Sequence, residues 1–408
     1  MKYDWHGYEA KLRTREKQIR NSKISEKNKK LIFEFQKNLV ITGISKPRIL
    51  KYLEILRLSA VIFKKNFDKV TKKDIMNFVS IIEQRNYSEW TKHSYKVIVK
   101  KFFQWLRKCE DKEYPPEVKW IHARVKKDRQ NLPNEGDLLT EKDIQKLLDT
   151  ANNLRDRAFI SCLWESGCRI GEIASIRIKD IVFDEYGCVI HVNGKTGPRK
   201  IRVINSAPYL ANWLGTHPNN TDRNDFVWVT HRGQNKGKLL MYSTIRKLII
   251  DLCKEAGIKK RCNPHIFRHS RATFLANHLT EFQMNSYFGW VQGSDMPSTY
   301  VHLSGKDTDS ALLKLNGVVR EKEHDQTLLT PQKCPRCEII NSHESKFCNK
   351  CGAVLDVKEA MVMEENQKQF RTKRDRMDLV MNMMMKDPEV VEVIRKKMEK
   401  MANPEIEI

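Results

Sequence analysis

The 408-residue chain contains no run of 18 apolar residues, so no transmembrane helix is expected. Its opening stretch, MKYDWHGYEAKLRTREK, holds no apolar segment of the signal-peptide kind, and no secretory leader is expected. No cluster of carboxylates suggests a pair of catalytic metal ions, so any chemistry here is expected to be metal-independent. Acidic residues are also short, with 51 Asp+Glu against 75 Lys+Arg and a formal charge of +24. The shortage is greatest at the front, where residues 1–130 hold 33 Lys+Arg and 15 Asp+Glu. A basic front with interleaved aromatics points to a polyanionic partner, nucleic acid first among them; a solubilising surface is the plainer alternative. Lysine dominates the excess, which suits contact with a phosphate backbone more than the reading of base sequence.

Ten cysteines are present. Cys109, Cys162, Cys168, Cys188, Cys253 and Cys262 are scattered through apolar or mixed segments, where free cysteine acts as a small hydrophobe. Cys334, Cys337, Cys348 and Cys351 cluster as metal ligands do. With no leader, this usage suggests a reducing cytoplasm.

Residues 1–24 are polar and basic and read as an arm or short helix. From residue 25 to 108 the pattern is helical. Leu31, Phe35 and Leu39 recur at spacing four, Thr71 with Asp74 forms a capping signal, and Val97, Phe102, Phe103 and Trp105 lie on a helix from Trp90 to Leu106. Residues 109–138, with Pro115, Pro116, Pro133 and Gly136 among many charges, read as an extended linker. A second domain spans 139–318. Thr140 caps a helix bearing Ile144, Leu147 and Leu148, and another helix runs from Arg157 to Glu165. A strand pair, GCVIHV and KIRVI, flanks the loop NGKTGPR; helices follow from Ser243 to Ala256 and from Pro264. The fold class is therefore mostly α (α+β), with a small antiparallel sheet.

Chemistry concentrates in a few residues. Arg169 and Arg268 can grip phosphate oxygens through planar forks of donors and stabilise the charge of a phosphoryl transition state. Lys195, on the hairpin tip, can donate a proton to a departing sugar oxygen. His265 shares a helical face with Arg268 and can accept or relay a tyrosine proton. Tyr300, read as lying on a loop after Ser-Asp-Met-Pro-Ser, is the candidate nucleophile. Trp290 sits in a Phe-Gly-Trp turn, and Glu172, one turn after Arg169, can orient its guanidinium. Singly, each has an ordinary structural reading; together and in this order they point to one site.

The order resembles the tyrosine recombinase (phage-integrase-like) family. Gly167-Cys168-Arg169-Ile170-Gly171-Glu172 is similar to its first-arginine box, and Gly194-Lys195 to its hairpin lysine. His265-Ile266-Phe267-Arg268-His269-Ser270 resembles its His-x-x-Arg-His-Ser box, and Tyr300-Val301-His302 its nucleophile box. Trp290 stands where histidine is commoner; its indole N–H can still donate one hydrogen bond. The resemblance covers roughly residues 25–318 and is greatest to archaeal chromosomal recombinases and integrases of archaeal viruses or plasmids. It implies that 25–108 is a helical core-binding domain for duplex DNA and 139–318 the catalytic domain. It further implies a monomer or dimer off DNA and a homotetramer on two DNA sites. Cutting and rejoining would pass through a 3′-phosphotyrosine and a Holliday junction without ATP, in the cytoplasm at the nucleoid of an archaeal host. A type IB topoisomerase would share the chemistry but relax DNA without pairing sites. The rival of a different class is a DNA-binding or architectural protein that has lost catalysis, and the intact set Arg169, Lys195, His265, Arg268 and Tyr300 argues against that loss.

In the tail, residues 330–356 carry two C-x-x-C pairs, Cys334/Cys337 and Cys348/Cys351, the spacing of a single structural zinc in a minimal ribbon. Residues 357–408 are Met-rich and helical. Asp387-Pro388 reads as an N-cap with Pro at N1, and Val391, Ile394, Met398 and Met401 form a short stripe expected to dock on a neighbour.

Overall fold

The computed structural model describes residues 4–125, 134–194, 196–303, 316 and 329–402. The chain divides into two units, and two segments of the later sequence belong to the first of them. That first unit comprises Met1–Leu138, Arg232–Lys254 and Lys259–Asn263; the second comprises Leu139–His231, Glu255–Ile258 and Pro264–Ile408.

The first unit opens with α1 (Tyr8–Arg20), α2 (Glu26–Ile41), α3 (Lys46–Phe63), α4 (Lys72–Gln84), α5 (Glu89–Leu106) and the short α6 (Pro116–Lys119). Ser25, Thr71 and Ser88 start α2, α4 and α5 by accepting backbone N–H bonds through their hydroxyls. At α4 the reciprocal bond is also made, from the Thr71 N–H to Asp74 Oδ2 at 2.8 Å. The core is built on Phe35, Phe63, Phe67, Phe78, Phe102 and Phe103, whose rings meet mostly edge to face. Ile19 of α1 is buried in the same core, as are Val118 and Ile121 beyond α5. The arm and the start of the expected linker therefore pack as parts of a helical domain.

The second unit begins with α7 (Glu141–Thr150), α8 (Leu154–Ser166) and α9 (Ile170–Ala174), followed by β1 (Ile181–Asp184), β2 (Gly187–Gly194) and β3 (Gly197–Val203). These strands form one antiparallel sheet in the order β1-β2-β3. The expected strand pair is thus a three-stranded sheet, and the hairpin is tighter than the sequence suggested: Gly194 pairs with Gly197. Next comes α10 (Ala207–Gly215). Then α11 (Tyr242–Glu255) falls mainly within the first unit, where the Trp5 indole N–H donates to Leu240 O at 2.6 Å. Cys253 and Cys262, expected as separate thiols, are joined there in a disulfide, because the loop after α11 brings their Cα atoms to 6.4 Å.

The second unit continues with α12 (Pro264–Ala276), α13 (Glu281–Phe288), α14 (Met296–Leu303), β4 (Gln332–Lys333), β5 (Ile340–Asn341), α15 (Val357–Met384) and α16 (Pro388–Ala402). Its axis is α8, buried from Ala158 to Ser166. Tyr300, expected on a loop, lies within α14: Asp295 and Pro297 start a helix, and Ser298 Oγ bonds back to Asp295 O at 2.7 Å. The α16 stripe is open rather than docked in the single chain, with Ile394 and Met398 exposed. Among the described residues, no helix is long and apolar enough to cross a membrane.

Candidate active site

Each element of the site has a local reason for its place. Gly167 ends α8 in a left-handed conformation, and Arg169 is the residue at which α9 begins. Glu172 reaches back from the first turn of α9 and takes the Arg169 backbone N–H on Oε2 at 2.9 Å and the Arg169 guanidinium on Oε1 at 2.9 Å. On the other side, Arg199 of β3 donates to Glu172 Oε2 at 2.7 Å and, through Nε, to Tyr287 O at 2.9 Å. Burial pushes the Glu172 carboxyl up, but Arg199, with Arg169, outweighs it and holds the group below its usual range. Glu172 and Arg199 are both buried, so removing Glu172 would leave the Arg199 guanidinium without its carboxylate, at a cost of about 3–5 kcal/mol.

The hairpin tip is fitted closely to this pair. A Cβ at Gly194 would overlap Glu172 Oε1, so only glycine lets the strand pass there. Lys195 lies outside the described residues; its neighbour Thr196 donates through Oγ1 to Gly289 O at 3.0 Å. Arg169 Nη2 reaches the same carbonyl at 3.4 Å. Gly289 itself caps α13 at φ +60°, which turns that carbonyl toward the arginine and delivers Trp290.

Arg268, on α12, is buried and donates to Gly167 O at 3.0 Å and Phe288 O at 2.8 Å. Its guanidinium carbon lies 5.0 Å from the Phe288 ring and 5.5 Å from the Trp290 ring. Burial, with the nearby charge of Arg169, lowers its pKa to about 10, so it remains a cation at neutral pH. His265, one turn before Arg268 on α12, is pushed below the ordinary histidine range by burial and then by the charges of Arg268 and Arg169.

Tyr300 closes the cluster. Its side chain is 1% exposed and stacks on Trp290 with ring centroids 5.4 Å apart and planes 2° from parallel. Burial raises its hydroxyl to about 12, against the opposing pull of Arg268. The structure thus brings together Arg169, Glu172, His265, Arg268, Trp290 and Tyr300. The tyrosine hydroxyl meets His269, however, at 2.8 Å from Nδ1. His269 is the second histidine of the His-x-x-Arg-His-Ser box, to which the sequence assigned no role, and Arg199 was not singled out. His269 was legible as the i+4 neighbour of His265 on one helix face; Arg199 had no signal, since it lies in a basic stretch that read as turn.

Such an arrangement can bind a phosphate between two guanidinium groups and present a phenol to it, with imidazoles at hand for the proton.

A second group lies in the tail. The Sγ atoms of Cys334, Cys337, Cys348 and Cys351 all fall within 4.8 Å of one another. Cys334 and Cys351 are 3.6 Å apart and Cys337 and Cys348 3.5 Å, too long for disulfides and close to the roughly 3.8 Å edge of a tetrahedron with Zn–S bonds of about 2.3 Å. The Arg336 N–H and the Asn341 side-chain amide point at Cys334 and Cys348, as donors to thiolates do. The cysteine-bearing segment is tied to α8 and α10, because Glu344 accepts from Tyr209 Oη at 2.9 Å and from Arg157 at 3.3 Å.

Residues 137–306 match the profile of the Phage integrase family. The chain is 27% identical over 215 residues to tyrosine recombinase XerD of Listeria monocytogenes serotype 4b, covering 50% of this chain and 68% of the relative. It is 26% identical over 244 residues to tyrosine recombinase XerA of Pyrococcus furiosus, covering 59% and 78%. Its fold is similar to the crystal structure of XerH site-specific recombinase bound to palindromic difH substrate in a post-cleavage complex. That match has a TM-score of 0.53 at 18% identity and covers 78% of this chain and 98% of the other. Residues 137–306 of this chain are thus similar to the Phage integrase family, and the chain is similar to tyrosine recombinases over 215 to 244 residues.

Proposed function

We propose that this chain is a site-specific tyrosine recombinase that cuts and rejoins duplex DNA through a 3′-phosphotyrosine on Tyr300. The observation that carries this reading is the stack of the Tyr300 phenol on Trp290, whose ring lies 5.5 Å from the Arg268 guanidinium carbon and whose neighbour Gly289 accepts from Arg169. Arg169 and Arg268 bind the non-bridging oxygens of the scissile phosphate and stabilise the five-coordinate transition state. His265, beside both arginines, faces the same phosphate. Trp290 fixes the plane of the nucleophile ring by stacking, and Glu172 with Arg199 holds Arg169 in place. Lys195, at the hairpin tip, protonates the departing 5′ oxygen. Each broken bond is conserved as a phosphotyrosine ester, so strand exchange needs no ATP, and the chemistry is carried without a catalytic metal.

The lysine-rich helical domain, residues 25–108, clamps duplex DNA together with residues 139–318. Four protomers assemble on two sites and pass through a Holliday junction, starting from a monomer or dimer. One structural zinc is held by Cys334, Cys337, Cys348 and Cys351, where it supplies a four-fold crosslink and no chemistry. The cell compartment is the cytoplasm, at the nucleoid of an archaeal host or its integrating virus.

Sites recovered from covalent complexes on host DNA, placed twice on one plasmid, give the test. Without nucleotide and without added divalent metal, the purified chain is expected to produce Holliday junctions and recombinants. Relaxation of supercoils with no junctions would make it a topoisomerase instead, and dependence on nucleotide would overturn the mechanism.

A further inference from the structure

The side chain that touches the reacting oxygen of Tyr300 is His269, to which the boxes gave no role. We propose that His269 accepts the Tyr300 hydroxyl proton during cleavage and returns it on rejoining; this rests on the reading of Tyr300 as nucleophile. The geometry is specific. His269 lies on α12 one turn after His265 and next to Arg268, and α14 packs on α12 so that Tyr300 Oη sits 2.8 Å from Nδ1. The two rings are 5.8 Å apart at 37°, and the Trp290 stack sets the plane in which the phenol presents its O–H. In the tautomer with Nδ1 bare and Nε2 protonated, the hydroxyl donates across this contact and Nδ1 accepts, which is the form the proton transfer uses.

The step balances on these atoms. An Oη lone pair forms the bond to phosphorus while the electrons of the O–H bond stay on oxygen and its proton passes to Nδ1. The bond from phosphorus to the 5′ oxygen breaks with its pair, and that oxygen takes a proton from a different donor. Rejoining reverses each transfer. Among the described residues, the titratable and charged groups acting on His269 are Tyr300 from α14, and His265 and Arg268 from its own helix. Burial, then His265 and Arg268, holds the imidazole below its usual value, so it is a neutral acceptor at neutral pH. His265 lies one turn earlier on the same helix, where burial and the charges of Arg268 and Arg169 hold it below the ordinary histidine range.

The test is single-turnover cleavage by the full chain on a nicked duplex. His269→Ala is expected to cut about 10²–10⁴-fold more slowly, the usual contribution of a positioned base. Wild-type cleavage should rise with pH only below the ordinary histidine range and then stay level. The variant should keep rising into alkaline solution, because its phenol must ionise unaided. Added imidazole should restore part of the rate to His269→Ala. A substrate with sulfur at the 5′ bridging position, which leaves without a proton, should rescue Lys195→Ala and not His269→Ala. His269→Asn, which can keep the hydrogen bond without taking a proton, guards against a folding defect and should be as slow and as pH-dependent as the alanine variant. A wild-type rate and pH profile in His269→Asn, or rescue of His269→Ala by the sulfur substrate, would overturn the proposal. A covalent complex that persists in Tyr300→Phe would instead overturn the reading of the nucleophile.

Discussion

Arg268→Ala is expected to slow cleavage of a nicked duplex by on the order of a hundredfold or more, the cost typical of losing one oxyanion donor, while binding falls far less. The guanidinium is held on one edge by Gly167 O and Phe288 O and is stacked beside Phe288 and Trp290. A planar group fixed in this way carries its remaining N–H donors in one orientation, already desolvated, so little reorganisation accompanies the transition state. Arg268→Lys should therefore also lose most of the rate, because a single ammonium cannot serve both carbonyls and a phosphate. Binding should persist, since the lysines of the first 130 residues share the phosphate backbone. Single-turnover cleavage beside a gel-shift titration checks both. A near-normal cleavage rate in either variant would remove Arg268 from the active site.

The second large effect is expected at the four tail cysteines, which could hold a metal ion. The purified chain is expected to hold one zinc, and Cys348→Ser or a strong chelator should unfold residues 330–356, since binding energy is folding energy in a unit with so little core. Burial opposes ionisation of Cys348, but the N–H groups of Cys351 and Lys350, with the neighbouring thiol, outweigh it and hold Cys348 below the ordinary thiol range. The ribbon also supplies Glu344 to Arg157 and Tyr209, so its loss should loosen α8 and α10 as well. Metal analysis and amide hydrogen exchange on the full chain decide this. Metal-free protein with protected ribbon amides would contradict it.

Much of this architecture can be read from the chain because local rules and tertiary context agree. Thr71 with Asp74 and Thr140 with Asp143 announce helix starts that both form as capping boxes. The apolar spacing of α2 and α5 places Phe35 and Phe102 in one core, and the glycines of the hairpin mark its turn. What stayed hidden depends on packing between distant segments. β1 has four residues and one buried side chain, so its alternation is too short to see. Tyr300 was expected on a loop because Pro297 reads as a breaker, although proline in a first turn starts α14. Arg199 becomes informative only when the sheet lays it against Glu172. The identity of the tyrosine's partner turned on one helical step: His265 and His269 share a face, and the packing of α14 selects His269.

The central claim is that Tyr300 is the residue that becomes joined to DNA, and peptide mapping of the covalent complex by mass spectrometry tests it most directly. The account predicts that a nicked duplex carrying the target site traps the chain with its 3′ phosphate on Tyr300, and that Tyr300→Phe binds the same duplex without forming the adduct. An adduct on Tyr287 or Tyr242, or an undiminished complex in Tyr300→Phe, would contradict it.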